Sequence, residues 1–226
     1  MAVNLAINTP PLESGDRLTR PEFERRYIAS PHLRKAELVE GVVYVASPVR
    51  ATRHGRPHAI IMAWLGAYWT ATPGVDLLDN ATIRLDADNE PQPDALLRME
   101  PEVGGNSSIS EDDYIEGAPE LIVEVAASSA SYDLNDKLNA YRRNGVREYI
   151  VWQIYENRVD WFILQEGRYV TVIPDDRGII RSQVFPGLWL SVNGLRQGNR
   201  QEILSVLQEG LATAEHQDFR ERLSRE

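Results

Sequence analysis

Cysteine is absent from all 226 residues, which excludes disulfides, thiolate nucleophiles and cysteine-ligated zinc, and fits a reducing compartment, so the cytoplasm is the expected location. Long apolar runs are missing as well. The longest nearly apolar stretch, residues 60–69, falls short of the roughly 20 residues that cross a bilayer, so no membrane partner is expected. Residues 1–20 lack a basic start followed by an apolar segment, and so do not read as a secretory leader. Histidine is scarce, and His32, His54 and His216 share no ligand spacing on one helix, which disfavours a zinc site. There is neither a phosphate-cradling Gly-rich loop nor a nucleophilic-serine motif. Net positive charge is lacking too: a formal charge of −10 argues against nonspecific adhesion to nucleic acid over the whole surface.

What is present is an ordinary globular composition, 42% hydrophobic and 26% charged, enough for one core with appendages. Its charge is unevenly spread. Residues 17–56 hold nine basic against four acidic side chains, whereas residues 76–124 hold fourteen acidic against two basic. Two readings stay open: two solvated faces of opposite sign, or a phosphate-facing patch beside a cation-attracting site.

Helix-start signals at Thr19, Pro21 and Glu22 predict a short helix ending near residue 30. Residues 36–39 and 42–46 flank Glu40-Gly41 and read as a tight hairpin. A helix over 56–70 follows, with His58, Ile61, Met62, Leu65, Tyr68 and Trp69 on one face, stopped by Pro73-Gly74. Strands are expected at 75–78, 82–85 and 94–97, then a polar loop over 100–117. Beyond a strand at 121–125, Asp133 is placed to cap a helix that runs to Asn144 and ends at Gly145. Strands at 148–154, 159–164 and 169–173 follow, with an edge at 188–192. A polar helix from about 200 onward carries Leu204, Leu207 and Leu211, interrupted by Gly210.

The most informative residue is Glu124, a carboxylate inside the unbroken apolar run Leu121-Ile122-Val123-Glu124-Val125. Such a run reads as a strand covered on both faces, and a carboxylate buried there needs a cation, either a metal ion or a lysine. Asp94, opening an earlier strand after Pro93, would meet Glu124 if the two strands are neighbours, and paired carboxylates suit Mg²⁺. Asp after Pro is equally a common turn signal. Lys137 falls on the stripe of Leu134, Leu138 and Tyr141, which aims it at the sheet, although a lysine at the stripe's edge can also snorkel to water. His58 lies on the apolar face of its helix, as a hydrogen-bonded core residue or a catalytic one. Glu37, alternating with Leu38 at the strand start, is a further candidate for the same site.

Pro93-Asp94, the glutamate-bearing strand, Ser128-Ser129, Asp133 with Lys137 and Tyr141, and Gly145-Val146-Arg147-Glu148-Tyr149 together resemble the Uma family of restriction-endonuclease-like proteins. Glu37-Leu38-Val39-Glu40-Gly41 and the helix with His58 match the start of that pattern. The resemblance implies an α/β fold of the PD-(D/E)XK nuclease type: a mixed central β-sheet flanked by helices, with an N-terminal hairpin and a C-terminal helical tail. The expected organisation is an arm over 1–18, the nuclease-like domain over 19–195 and a tail over 196–226. Asp94, Glu124 and Val125 would hold Mg²⁺ or Mn²⁺, Lys137 would assist the attacking water, and Glu37 and His58 would complete the catalytic set. The implied activity is divalent-metal-dependent hydrolysis of phosphodiester bonds in DNA, by a chain that can form a homodimer. The alternative is an inactive module of the same fold that binds nucleic acid or a protein. One departure stands out: the position two after Glu124 is Ala126 rather than lysine, so that role passes to Lys137.

Overall fold

The computed structural model describes residues 9–46, 48 and 50–224. Residues 1–8 of the expected arm lie outside them. The chain opens with α1 (Arg20–Ile28) and the hairpin β1 (Ala36–Val39) and β2 (Val42–Val45). Glu40 and Gly41 both take positive φ, 53° and 72°, the conformation a two-residue hairpin loop requires. A five-residue π-helical stretch, Ala51–Gly55, leads into α2 (Arg56–Ala71). Then come β3 (Val75–Asp79), β4 (Ile83–Arg84), β5 (Ala95–Met99), β6 (Ser108–Ile109), β7 (Ile115–Glu116) and β8 (Leu121–Ala126). A short helix α3 (Ala130–Tyr132), a second π-helical stretch (Asp133–Lys137) and α4 (Leu138–Asn144) form one continuous helical run. The remainder is β9 (Glu148–Gln153), β10 (Arg158–Gln165), β11 (Arg168–Thr171), β12 (Ile179–Arg181), β13 (Trp189–Ser191), α5 (Val192–Gln197), α6 (Arg200–Leu211) and α7 (Ala214–Leu223).

Six strands form the central sheet in the order β11-β10-β9-β8-β5-β3. Only β8 and β9 run parallel, and the α3–α4 run supplies the crossover a parallel pair needs. Alternation along the central strands divides the core in two. Leu121, Val123 and Val125 of β8 join Ile61, Trp64 and Leu65 of α2, together with Leu207 and Phe219 of the C-terminal helices. Ile122 and Ala126 face the other way, toward Tyr141, Val146 and Tyr149. Glu124 shares the parity of Ile122 and Ala126, so it points at the α3–α4 side.

Several local expectations need correction. The expected strand at 82–85 shrinks to two residues, and the loop over 100–117 carries the short strands β6 and β7, which join β4 in a separate small sheet. The edge expected at 188–192 pairs with β12 instead of the main sheet. Asp133 is no N-cap: it lies inside the helical run, buried. Trp69 is exposed, leaving the α2 stripe shorter than its spacing suggests. The C-terminal residues form two longer helices rather than one, and the face that packs inward is Ile203, Val206, Leu207 and Gly210, with Leu204 exposed. Gly210 is a contact, because a Cβ there would lie 2.3 Å from the Gly187 carbonyl oxygen.

Candidate active site

β5 and β8 are antiparallel neighbours, with Ala95 opposite Val123. One step further along the same register, Asp94 stands opposite Glu124 at the end of the ladder. Both residues are buried, each 4% exposed. Asp94 is pinned on two sides: its Oδ2 accepts the Val125 N–H at 2.7 Å, and its Oδ1 lies 3.0 Å from His54 Nε2. Val125, expected as a metal ligand, thus enters the site through a backbone N–H that holds Asp94. His58 Nε2 sits 3.0 Å from the Asp94 carbonyl oxygen and 3.1 Å from Asp79 Oδ1. His58 therefore props the Asp94 backbone rather than its carboxylate.

Lys137 reaches inward from the helical run. Its Nζ donates to Glu124 Oε1 at 2.7 Å and lies 2.8 Å from Glu37 Oε1, so the hairpin and the central sheet are tied through one ammonium group. Glu37 Oε1 also accepts the Gln92 N–H at 2.7 Å, and Tyr141 donates its hydroxyl to Glu124 Oε1 at 3.2 Å. The Tyr132 ring stands 5.3 Å from Lys137 Nζ as a cation–π partner. The structure brings Glu37, Glu124 and Lys137 into direct contact, with Asp94 alongside.

Burial pushes the Glu124 carboxyl up; Lys137 pulls it down, but Asp133, Asp94 and Glu37 add to the rise, and the net direction is upward. For Lys137 burial works downward, yet Glu124 and Glu37 outweigh it and hold the ammonium well above its ordinary range. The lysine is therefore a fixed cation. Burial raises Asp94 too, but His54 and the Val125 N–H overcome it and leave the carboxyl below its ordinary value. The reciprocal bond to Asp94 raises the His54 imidazole.

Two residues that were not expected in the site belong to this neighbourhood. His54 lies on the π-helical stretch before α2, and such stretches occur often at functional sites. Its only sequence signal is the i, i+4 spacing to His58, whose ring stacks on it at 5.8 Å. Asp133 was expected at a cap; instead its Oδ2 is buried without a hydrogen-bond partner.

The donor chemistry fits a hard divalent cation. Glu37, Asp94, Glu124 and Asp133 are oxygen donors gathered around one lysine, and the unpartnered Asp133 oxygen is the kind of group an ion would satisfy. The geometry is not preassembled: among the described residues no three His, Asp or Glu side chains converge on one ion-sized point. Each Asp94 oxygen already accepts one hydrogen bond, so an ion bound there would share the carboxylate with His54 and the Val125 N–H or displace one of them.

Comparison with known proteins bears on the family and the fold. The family model described as Uma2, "Putative restriction endonuclease", matches residues 20–193. The crystal structure of a putative nuclease belonging to DUF820 from Anabaena variabilis ATCC 29413 superposes with a TM-score of 0.57 at 12% sequence identity, covering 76% of this chain and 96% of the other. That likeness is one of fold. No curated protein matches the chain.

Proposed function

Because the chain belongs to the Uma2 family, we propose that it is a divalent-metal-dependent nuclease that hydrolyses phosphodiester bonds in DNA. The observation that carries this reading is the buried Glu37–Lys137–Glu124 contact beside Asp94, at the end of β5 and β8. Purely structural packing would favour apolar side chains there, since a buried ion pair replaced by well-packed hydrophobic residues is often neutral or stabilising.

Asp94 and Glu124 would hold Mg²⁺ or Mn²⁺, with Asp133 in reserve. The ion, when bound, supplies Lewis acidity at the phosphoryl oxygen and a more acidic water. Lys137, as a fixed cation, is suited to stabilise negative charge that develops on the phosphoryl group, and poorly suited to take a proton from water. Glu37 holds the lysine from the hairpin side, and Tyr141 steadies Glu124. His58 is a positioning residue, acting through the Asp94 backbone and Asp79.

The net basic segment supports the substrate class, because His54, flanked by Arg53 and Arg56, lies against Asp94. Positive charge for phosphates and acidic groups for a cation thereby border one site. Among the described residues no helix is long and apolar enough to cross a membrane, and we place the protein in the cytoplasm. A homodimer is the assembly this reading favours for cutting both strands, which sedimentation would test.

The test is incubation of supercoiled plasmid and single-stranded DNA with the protein in Mg²⁺ or Mn²⁺, with Asp94→Ala as control. Metal-dependent cleavage lost in the variant supports the reading. Binding without cleavage would favour the noncatalytic module, for which the doubly engaged Asp94 is the supporting observation.

A further inference from the structure

Tyr155 lies two residues past the end of β9 and leaves 54% of its surface exposed, a large share for an aromatic side chain. Arg53 lies over its ring, with the guanidinium carbon 5.0 Å from the centroid. The pair sits close to the candidate active site. Ile154 donates its N–H to the Ala126 carbonyl, two residues beyond Glu124, and Arg53 is the neighbour of His54, which touches Asp94.

The surrounding charge is unspent. Arg50, Arg53 and Arg56 are all exposed, and among the described residues none of them has a carboxylate partner. Arg84, by contrast, meets three carboxylates. An exposed aromatic face, a planar guanidinium and unpaired cations within a few residues of one another form the combination that binds single-stranded nucleic acid, with stacking for a base and cations for its phosphates. Bases inside a duplex keep both faces stacked on their neighbours and cannot use such a platform.

Resting on the nuclease reading, we propose that Arg53 and Tyr155 form a stacking platform for one unpaired base, so that the substrate class is nucleic acid that presents single-stranded nucleotides beside Asp94 and Glu124. Arg50 and Arg56 meet the adjoining phosphates. Tyr155 is then a residue that selects substrate and positions it, acting outside the reacting centre.

The experiment measures fluorescence anisotropy of a short fluorescein-labelled single strand and of the blunt duplex of the same sequence, with metal removed by EDTA. Wild type is expected to bind the single strand more tightly than the duplex. Tyr155→Ala is expected to weaken single-strand binding by at least about fivefold with little change for the duplex, and Tyr155→Phe to keep it, since stacking needs the ring and not the hydroxyl. Arg53→Ala is expected to lose a similar factor. Equal affinity for both probes, or an unchanged Tyr155→Ala, overturns the platform. Binding to neither probe overturns it as well. Cleavage of the same two probes in Mn²⁺ separates the two levels: cleavage confined to the duplex sinks the platform and keeps the nuclease, and no cleavage of either probe or of plasmid sinks the nuclease reading itself.

Discussion

Replacing Lys137 by Met removes the one buried cation between Glu37 and Glu124 while keeping a stem of similar length. The ammonium lies 2.8 Å and 2.7 Å from the two carboxylates, and its side chain is 3% exposed. Removing one partner of a buried pair costs about 3–5 kcal/mol, because the remaining charge stays buried without compensation. Protonation limits the loss. Neutralising one glutamate at pH 7 costs about 3.5 kcal/mol from its ordinary value, and at pH 5.5 only about 1.5 kcal/mol. Urea denaturation followed by tryptophan fluorescence is therefore expected to show Lys137→Met destabilised by about 4 kcal/mol at neutral pH and by roughly half of that at pH 5.5. With the metal-dependent assay, cleavage is expected to vanish while Mn²⁺ binding persists, since the ammonium acts on developing charge and the carboxylates remain. A loss under about 1 kcal/mol that does not change with pH would refute the buried pairing. Cleavage at the wild-type rate would leave Lys137 a structural residue.

Three other perturbations test separate parts of the molecule. His54→Ala is expected to tighten Mn²⁺ binding by about tenfold in calorimetry, because it frees Asp94 Oδ1 from a charged hydrogen bond; weaker binding would instead make His54 a ligand. Glu148, far from Lys137 along the sheet, accepts from Ser182 and the Gln183 and Val184 N–H groups, yet burial pushes its carboxyl up to about 7. Its stabilising contribution is complete below the ordinary value of 4.5 and is lost as pH rises through about 7, so Glu148→Gln is expected to remove up to about 3 kcal/mol of the fall in stability between pH 5 and pH 8. An identical pH profile for wild type and variant would contradict that assignment. Gly210→Ala gains about 1 kcal/mol of helix propensity but drives a Cβ to 2.3 Å from the Gly187 oxygen and 2.8 Å from the Trp189 ring, so a net loss of about 2 kcal/mol is expected in thermal melts; a stabilised variant would mean that α6 does not press on β13.

Much of the site could be read from local pattern. A charge inside an unbroken β-branched run stands out in any window, and Glu124 needed no knowledge of its partners to be noticed. Lys137 followed from helical spacing, and the hairpin that carries Glu37 from a two-residue turn. The chain contains only two lysines, Lys35 and Lys137, against an abundance of arginine; Lys35 acts on Asp94, and Lys137 lies between Glu37 and Glu124. His54 and Asp133 were harder to find, because their roles depend on π-helical turns, which leave no compositional trace. The strand order, with β5 beside β8, rests on contacts between residues far apart in the chain. The inward face of α6 and α7 was misjudged for a similar reason: Gly210 reads locally as a break, and only the close approach of Gly187 turns it into a packing contact.

The most direct test is a crystal soaked in Mn²⁺ and measured at a wavelength where manganese scatters anomalously. A metal-dependent nuclease predicts a peak bonded to Asp94 and Glu124, with Lys137 still against the Glu37 and Glu124 carboxylates and His54 moved off Asp94. No peak at these carboxylates under conditions in which the protein cleaves DNA, or a peak elsewhere in the molecule, would contradict the assignment of this site.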